Sequence, residues 1–185
     1  PLTGDEIPDS YLPLMYRFYL NTNEQFGPWA ARFLTRRFFL GIGAAFRHRL
    51  LLFAALERGS TQPVAMSFLL TKGRQLIGRY WGASRFVSNL HFDACYYAPI
   101  EWAIGHGVEW FDPGAGSPHK VRRGFRAVAN HSLHRFYDPR LERLMARQLG
   151  EINRKEQENI DAMNEAVPFA GLRPGEIENP GGSKP

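Results

Sequence analysis

The sequence has little cysteine: Cys95 stands alone. No intrachain disulfide can form, which fits a reducing compartment. It also lacks any long apolar run. The longest, Leu50–Leu56, is the size of a strand, well short of the ~20 residues a membrane helix needs. The start, Pro1-Leu2-Thr3-Gly4-Asp5-Glu6, is polar and acidic, so it is not a signal peptide. It carries no initiator Met, and the expectation is a processed or excised chain whose upstream sequence is missing. Acids are scarce in one region: residues 31–90 hold ten Lys/Arg against a single acid, Glu57. Residues 141–185 reverse the balance, with eight acids against six bases. A basic face suits an anionic partner such as a CoA, a nucleotide-linked sugar or tRNA, but is equally the mark of a solvated surface. No internal repeat and no linker interrupt residues 8–167, which read as one domain, with 168–185 an extended or disordered tail. The placement this implies is cytoplasmic or membrane-peripheral.

The chain has 185 residues, 44% hydrophobic and 14% aromatic, enough for an ordinary core. Asp9-Ser10 can cap a helix to about Asn21 whose buried face is Leu12, Met15, Phe18 and Tyr19. Pro28 suits the first turn of a second helix reaching about Phe46. Three short apolar runs follow, Leu50–Glu57, Pro63–Thr71 and Gln75–Trp81, separated by glycine-containing turns, which predicts an antiparallel meander. Residues 92–106 read as a helix stopped by Gly105/Gly107, and Val108–Asp112 as a brief strand. A Pro/Gly loop, 113–118, leads to a further strand over Arg126–Phe136. Asp138-Pro139 then opens a long helix to about Ala166, whose stripe of Leu141, Leu144, Met145 and Leu149 is expected in the core. Such an order gives an α+β fold, a mixed, mostly antiparallel sheet flanked by helices.

Three stretches carry a resemblance: Gly78-Arg79-Tyr80-Trp81-Gly82, Leu90–Tyr97, and Phe111–Ala115 running into His119-Lys120-Val121-Arg122-Arg123-Gly124-Phe125. With Tyr19–Thr22, Leu34–Phe39 and Pro168-Phe169, they make the chain similar to the Fem-like "peptidoglycan biosynthesis/recognition" family of N-acyltransferases in the GNAT (acyl-CoA N-acyltransferase) superfamily. The family has Glu where Asp93 stands, Gly-Glu where Ser117-Pro118 stand, and a proline near 126–128. The resemblance implies a GNAT-like fold and transfer of an acyl or aminoacyl group to an amine on a cell-wall precursor. The donor would be an acyl-CoA or an aminoacyl-tRNA. It also implies that this chain is the C-terminal half of a longer protein with its N-terminal half missing.

The candidate catalytic residues are His119, Lys120, His91 and Asp93. His119 could take the proton of the attacking amine and Lys120 could meet the developing oxyanion. Asp93 could orient His91, or serve only as a helix cap. Arg79, Tyr80, Trp81, Arg122 and Arg123 are candidates for substrate binding. Alternation places Arg79 and Trp81 on one face of a strand and Tyr80 on the other. Metal ligation by His131, His134, Cys95 and Asp93 lacks a recognised spacing, so no metal is assigned. Gly41-Ile42-Gly43-Ala44 has the wrong spacing from Arg36-Arg37 for a pyrophosphate loop, and Cys95 reads as buried and inert. Two other readings stay open: a non-catalytic recognition domain for a glycan, nucleotide-sugar or tRNA, and a nucleic-acid module, for which the pI of 9.6 argues.

Overall fold

The structure is a computed structural model that describes residues 1–168 except 25, 26, 31, 116 and 117; the tail expected from 168 lies, beyond that residue, outside the described part. The chain forms two compact units, Pro1–Gly114 and Ala115–Pro185.

The first unit is built on a five-stranded sheet in chain order: β1 (Leu2–Thr3), β2 (Leu50–Leu56), β3 (Pro63–Lys72), β4 (Gln75–Ala83) and β5 (Trp110–Asp112). The pairings are antiparallel up to β4, and β4–β5 is parallel. The predicted meander is therefore present, with ends shifted by at most two residues. β3 and β4 join through a tight turn, where Gly73 has φ +58° and Lys72 faces Gln75. The all-apolar run of β2 is explained by burial on both faces. Leu50 and Leu52 lie in one core cluster, and Leu51 and Phe53 in the other.

Helices α1 (Tyr11–Glu24) and α2 (Arg36–Phe46) supply the first cluster, centred on Phe39 against Tyr16, Tyr19, Phe68 and Tyr80. The expected buried face of α1 is observed, with Leu14 added. α2 starts eight residues later than Pro28: Thr35 caps it, its side chain accepting from the Phe38 N–H, while Gly27–Trp29 forms only a 3-10 turn. Gly43 is explained by this layer. A Cβ there would fall 2.0 Å from Cδ1 of Leu12, so the glycine lets α2 lie on α1.

The second face carries α3 (Leu90–Phe92), a π-helical turn (Asp93–Tyr97) and α4 (Ala98–Gly105), one continuous run where a single helix was expected. Gly107, at φ +64°, ends it as foreseen. Cys95 lies in the π turn and is half-buried, not buried, because it sits between the inward residues Ala94 and Tyr96. Ser67 is the buried polar residue of this core; its hydroxyl donates to the Ala94 carbonyl at 2.6 Å. That bond ties β3 to the π turn. Ser67→Ala leaves the carbonyl without this donor in a dry place, and should cost about 1–3 kcal/mol in urea unfolding. An unchanged midpoint would show that the bond holds nothing.

The second unit contains a short helical turn, α5 (Pro118–Val121), and the 27-residue α6 (Pro139–Glu165). Asp138 caps α6 as predicted, accepting from the Arg140 N–H at 2.7 Å. Its stripe is not core. Leu141, Leu144 and Leu149 are exposed, and the helix has no buried residue among those described. Amphipathic spacing shows that a face could be buried, without supplying the surface to bury it. Local pairs support the helix instead, including Arg154 with Glu151 and Glu158. The strand expected over Arg126–Phe136 is absent; the segment has no regular structure and Leu133 is fully exposed. A strand needs a neighbouring ladder as well as alternation. The segment is fastened by the Asn164 side chain, which bonds both the N–H and the carbonyl of Ala127 at 2.8 and 3.0 Å.

Candidate functional site

In the first unit, a cleft of about 620 Å³ opens where the end of α1, the end of β4 and the start of α3 meet. Three local devices build it. The first is Gly82. A Cβ there would lie 2.2 Å from the backbone C and O of Phe18, so strand and helix touch through their main chains. One turn on, Asn21 Nδ2 donates to the Ala83 carbonyl at 3.2 Å, which lays Asn21 and Thr22 beside the strand.

The second device is a bulge. Phe68 faces Tyr80 while Leu69 faces Gly78, so Arg79 is the extra residue. A bulge reverses the alternation beyond it. Leu76 belongs to the α4 face, and regular alternation would have sent Trp81 to the α1 face. Instead Trp81, the cross-strand partner of Ser67, turns towards α3, while Tyr80 packs against Tyr19, Phe39 and Phe68.

The third device is the π turn and the loop before it. Trp81 and His91 have ring centroids 5.4 Å apart with planes at 68°, a corner in the cleft wall. His91 also meets Tyr96 edge to face at 5.7 Å. Asn89, not Asp93, occupies the helix entry, at φ +62°. This left-handed conformation is unusual for a non-glycine residue, though Asn tolerates it better than most. The cap reading of Asp93 therefore fails: it lies one turn into the helix, is exposed, and its N–H donates to the Asn89 carbonyl.

Of the residues singled out from the sequence, the cleft brings together Trp81 and His91, whereas Arg79, Tyr80 and Asp93 do not line it. Arg79 is exposed at the bulge. Sequence reasoning missed Phe86, which is 91% exposed on the cleft, and Asn89. It also gave no role to Asn21 and Thr22, although both fall in a stretch that carries the resemblance.

The remaining candidates share one turn of the second unit. His119 and Lys120 are half-buried, Arg123 likewise, and Arg122 is exposed. Lys120 Nζ donates to the Ala115 carbonyl and Arg123 Nη1 to the His119 carbonyl, the latter at 2.7 Å. Gly124, at φ +87°, closes the turn. His119 is held below the ordinary imidazole value of 6.5, first by burial, then by the charges of Lys120 and Arg123. It is thus uncharged at neutral pH, as a proton acceptor must be.

No helix among the described residues is long and apolar enough to cross a membrane. No curated protein and no solved structure matches the chain. One family's sequence model does, over residues 1–171, a span that takes in the cleft, the His119 turn and α6; the chain belongs to the FemAB-like family, described as peptidoglycan biosynthesis/recognition.

Proposed function

We propose that the chain is the catalytic part of an N-acyltransferase of GNAT type that moves an acyl or aminoacyl group onto an amine of a cell-wall precursor. The His119 turn carries this reading: an imidazole kept uncharged beside two cations suits a base working next to an anion-stabilising group. The amine nitrogen attacks the carbonyl carbon of a thioester or ester donor, and the C–S or C–O bond breaks. His119 accepts the proton of the amine and returns it to the departing thiolate or ribose oxygen, while Lys120 faces the carbonyl oxygen as charge develops on it.

The sheet supports the GNAT assignment. β5 pairs with β4 only over Gln75–Ile77, and among the described residues no strand continues that ladder along Gly78–Ala83. Arg79 lies exposed beyond the end of that pairing, suited to an anionic donor, an acyl-CoA or an aminoacyl-tRNA. Arg122 and Arg123 are the other candidates for donor phosphates.

Incubation of the full-length protein with acetyl-CoA, longer acyl-CoAs or charged tRNA and precursor amines, followed by mass spectrometry, tests the reading. Transfer from any one donor supports it; no donor consumed with any amine overturns it. The pH dependence gives a second check. Because the base must be deprotonated, kcat should fall as pH drops through the depressed value of His119, so the acid limb lies below 6.5. A limb above that value would assign the base elsewhere. The alternative, a recognition domain without chemistry, predicts ligand binding with the ligand recovered unchanged.

A further inference from the structure

We infer that the cleft in the first unit is a sugar subsite: it takes an uncharged pyranose ring, the glycan part of the acceptor, and not the phosphate-bearing donor. This rests on the acceptor assigned above and gives it a place and a ligand class.

Charge decides between the two ligands. A CoA or a tRNA brings several phosphates, which need cations or converging N–H donors. The formally charged residues lining the cleft are Glu24 and Arg85. Arg85 is bonded to the carboxylate of Glu57, and Glu24 is paired with Arg32 at 3.7 Å. The cleft is therefore close to neutral, although it opens beside the most basic stretch of the sequence. Besides the ring nitrogens of Trp81 and His91, its other polar side chains are amides and hydroxyls, Asn21, Thr22, Ser88 and Asn89 among them. Such groups both donate and accept, matching the hydroxyls and acetamido groups of an amino sugar.

The apolar side points the same way. A pyranose has a face of C–H bonds that settles on an aromatic face, positive hydrogens against negative π density. Trp81 and His91 form a corner, and Phe86 stands at the rim almost wholly exposed. A lone exposed Phe is unremarkable, but one sharing a cleft with Trp81 is placed to stack on a ligand. Asn89 adds a separate sign. Its left-handed backbone sets the turn from the Phe86 loop into α3, and unusual conformations gather where a ligand is held. The volume also lies within the ~300–1,000 Å³ of small-molecule sites.

The test titrates N-acetylglucosamine oligomers and soluble glycan strands into the full-length protein by calorimetry, with acetyl-CoA and bulk tRNA in parallel. Sugar should bind, and its affinity should change less than about twofold between low and high salt, since no counter-ions are released. Phe86→Ala should weaken binding about tenfold with Tm unchanged, because the ring is exposed. Trp81→Ala should weaken it further. Absence of sugar binding, binding unaffected by Phe86→Ala, or displacement of the sugar by acetyl-CoA or tRNA would overturn the assignment. The transferase assay fails separately: sugar binding lost in Phe86→Ala with no donor ever consumed leaves the subsite standing and removes the enzyme. Transfer without sugar binding does the reverse.

Discussion

Gly82→Ala should unfold the first unit or destabilise it by about 3–5 kcal/mol, while Gly41→Ala leaves it as stable or slightly more so. The contrast lies in what each new methyl meets. At Gly82 it would overlap backbone atoms of Phe18, at 2.2 Å, and a main chain cannot rotate aside as a side chain can. α1 would have to lift from β4. Cluster packing around Phe18, Tyr19 and Tyr80 would open with it, and so would the bond from Asn21 to the Ala83 carbonyl. At Gly41, on the exposed side of α2, nothing lies within 4 Å. There the methyl only raises helix propensity, by up to about 1 kcal/mol. Urea unfolding of both variants provides the measurement. Equal stabilities would show that α1 and β4 are not in main-chain contact.

The second large effect concerns the chemistry. His119→Gln should lower kcat about 10²–10⁴-fold with little change in KM, the loss expected on removing a general base. Glutamine keeps a polar group of similar reach but cannot accept the proton. Lys120→Ala should also lower kcat, because its charge would act mainly on the oxyanion of the transition state. Both residues are only half-buried on a surface turn, so circular dichroism and Tm should stay near the parent values. If His119→Gln turns over at the parent rate, the base is another group, and the depressed basicity of this imidazole is a by-product of its burial beside cations.

The parts of this fold that were legible in the sequence are those fixed by local chemistry. Leu50–Leu56 reads as one strand of a meander, since the run is short and a glycine-containing turn separates it from the next. Asp138-Pro139 marks a helix start because both residues act within the first turn. The losses have the opposite character. Arg126–Phe136 reads as a strand between a turn and a helix cap, but pairing is decided by what lies alongside. The leucines of α6 have core spacing, yet burial needs a second surface. Thr35 caps α2 in competition with Pro28, and nothing local ranks the two. The cleft was half visible. Trp81 and His91 stood out by residue type, and Phe86 and Asn89 lie in the loop between them without a signal of their own, while Asn21 joins them only through the contact of Gly82 with Phe18, between residues 64 positions apart in the chain.

The bulge at Arg79 and the π turn at Asp93–Tyr97 are the same event in two kinds of structure, one residue more than the regular element holds. One precedes Trp81 and the other follows His91. Adding a residue to β4 between the bulge and Trp81 would point the indole at α1, whereas removing Arg79 would restore a regular ladder with Trp81 still opposite Ser67. Shortening the π turn by one would restore an α-helix and swing His91 by about 100° relative to α4. The corner between the two rings thus depends on chain length as much as on residue identity. Among relatives, insertions and deletions in these two short segments should alter the cleft more than most substitutions on its wall.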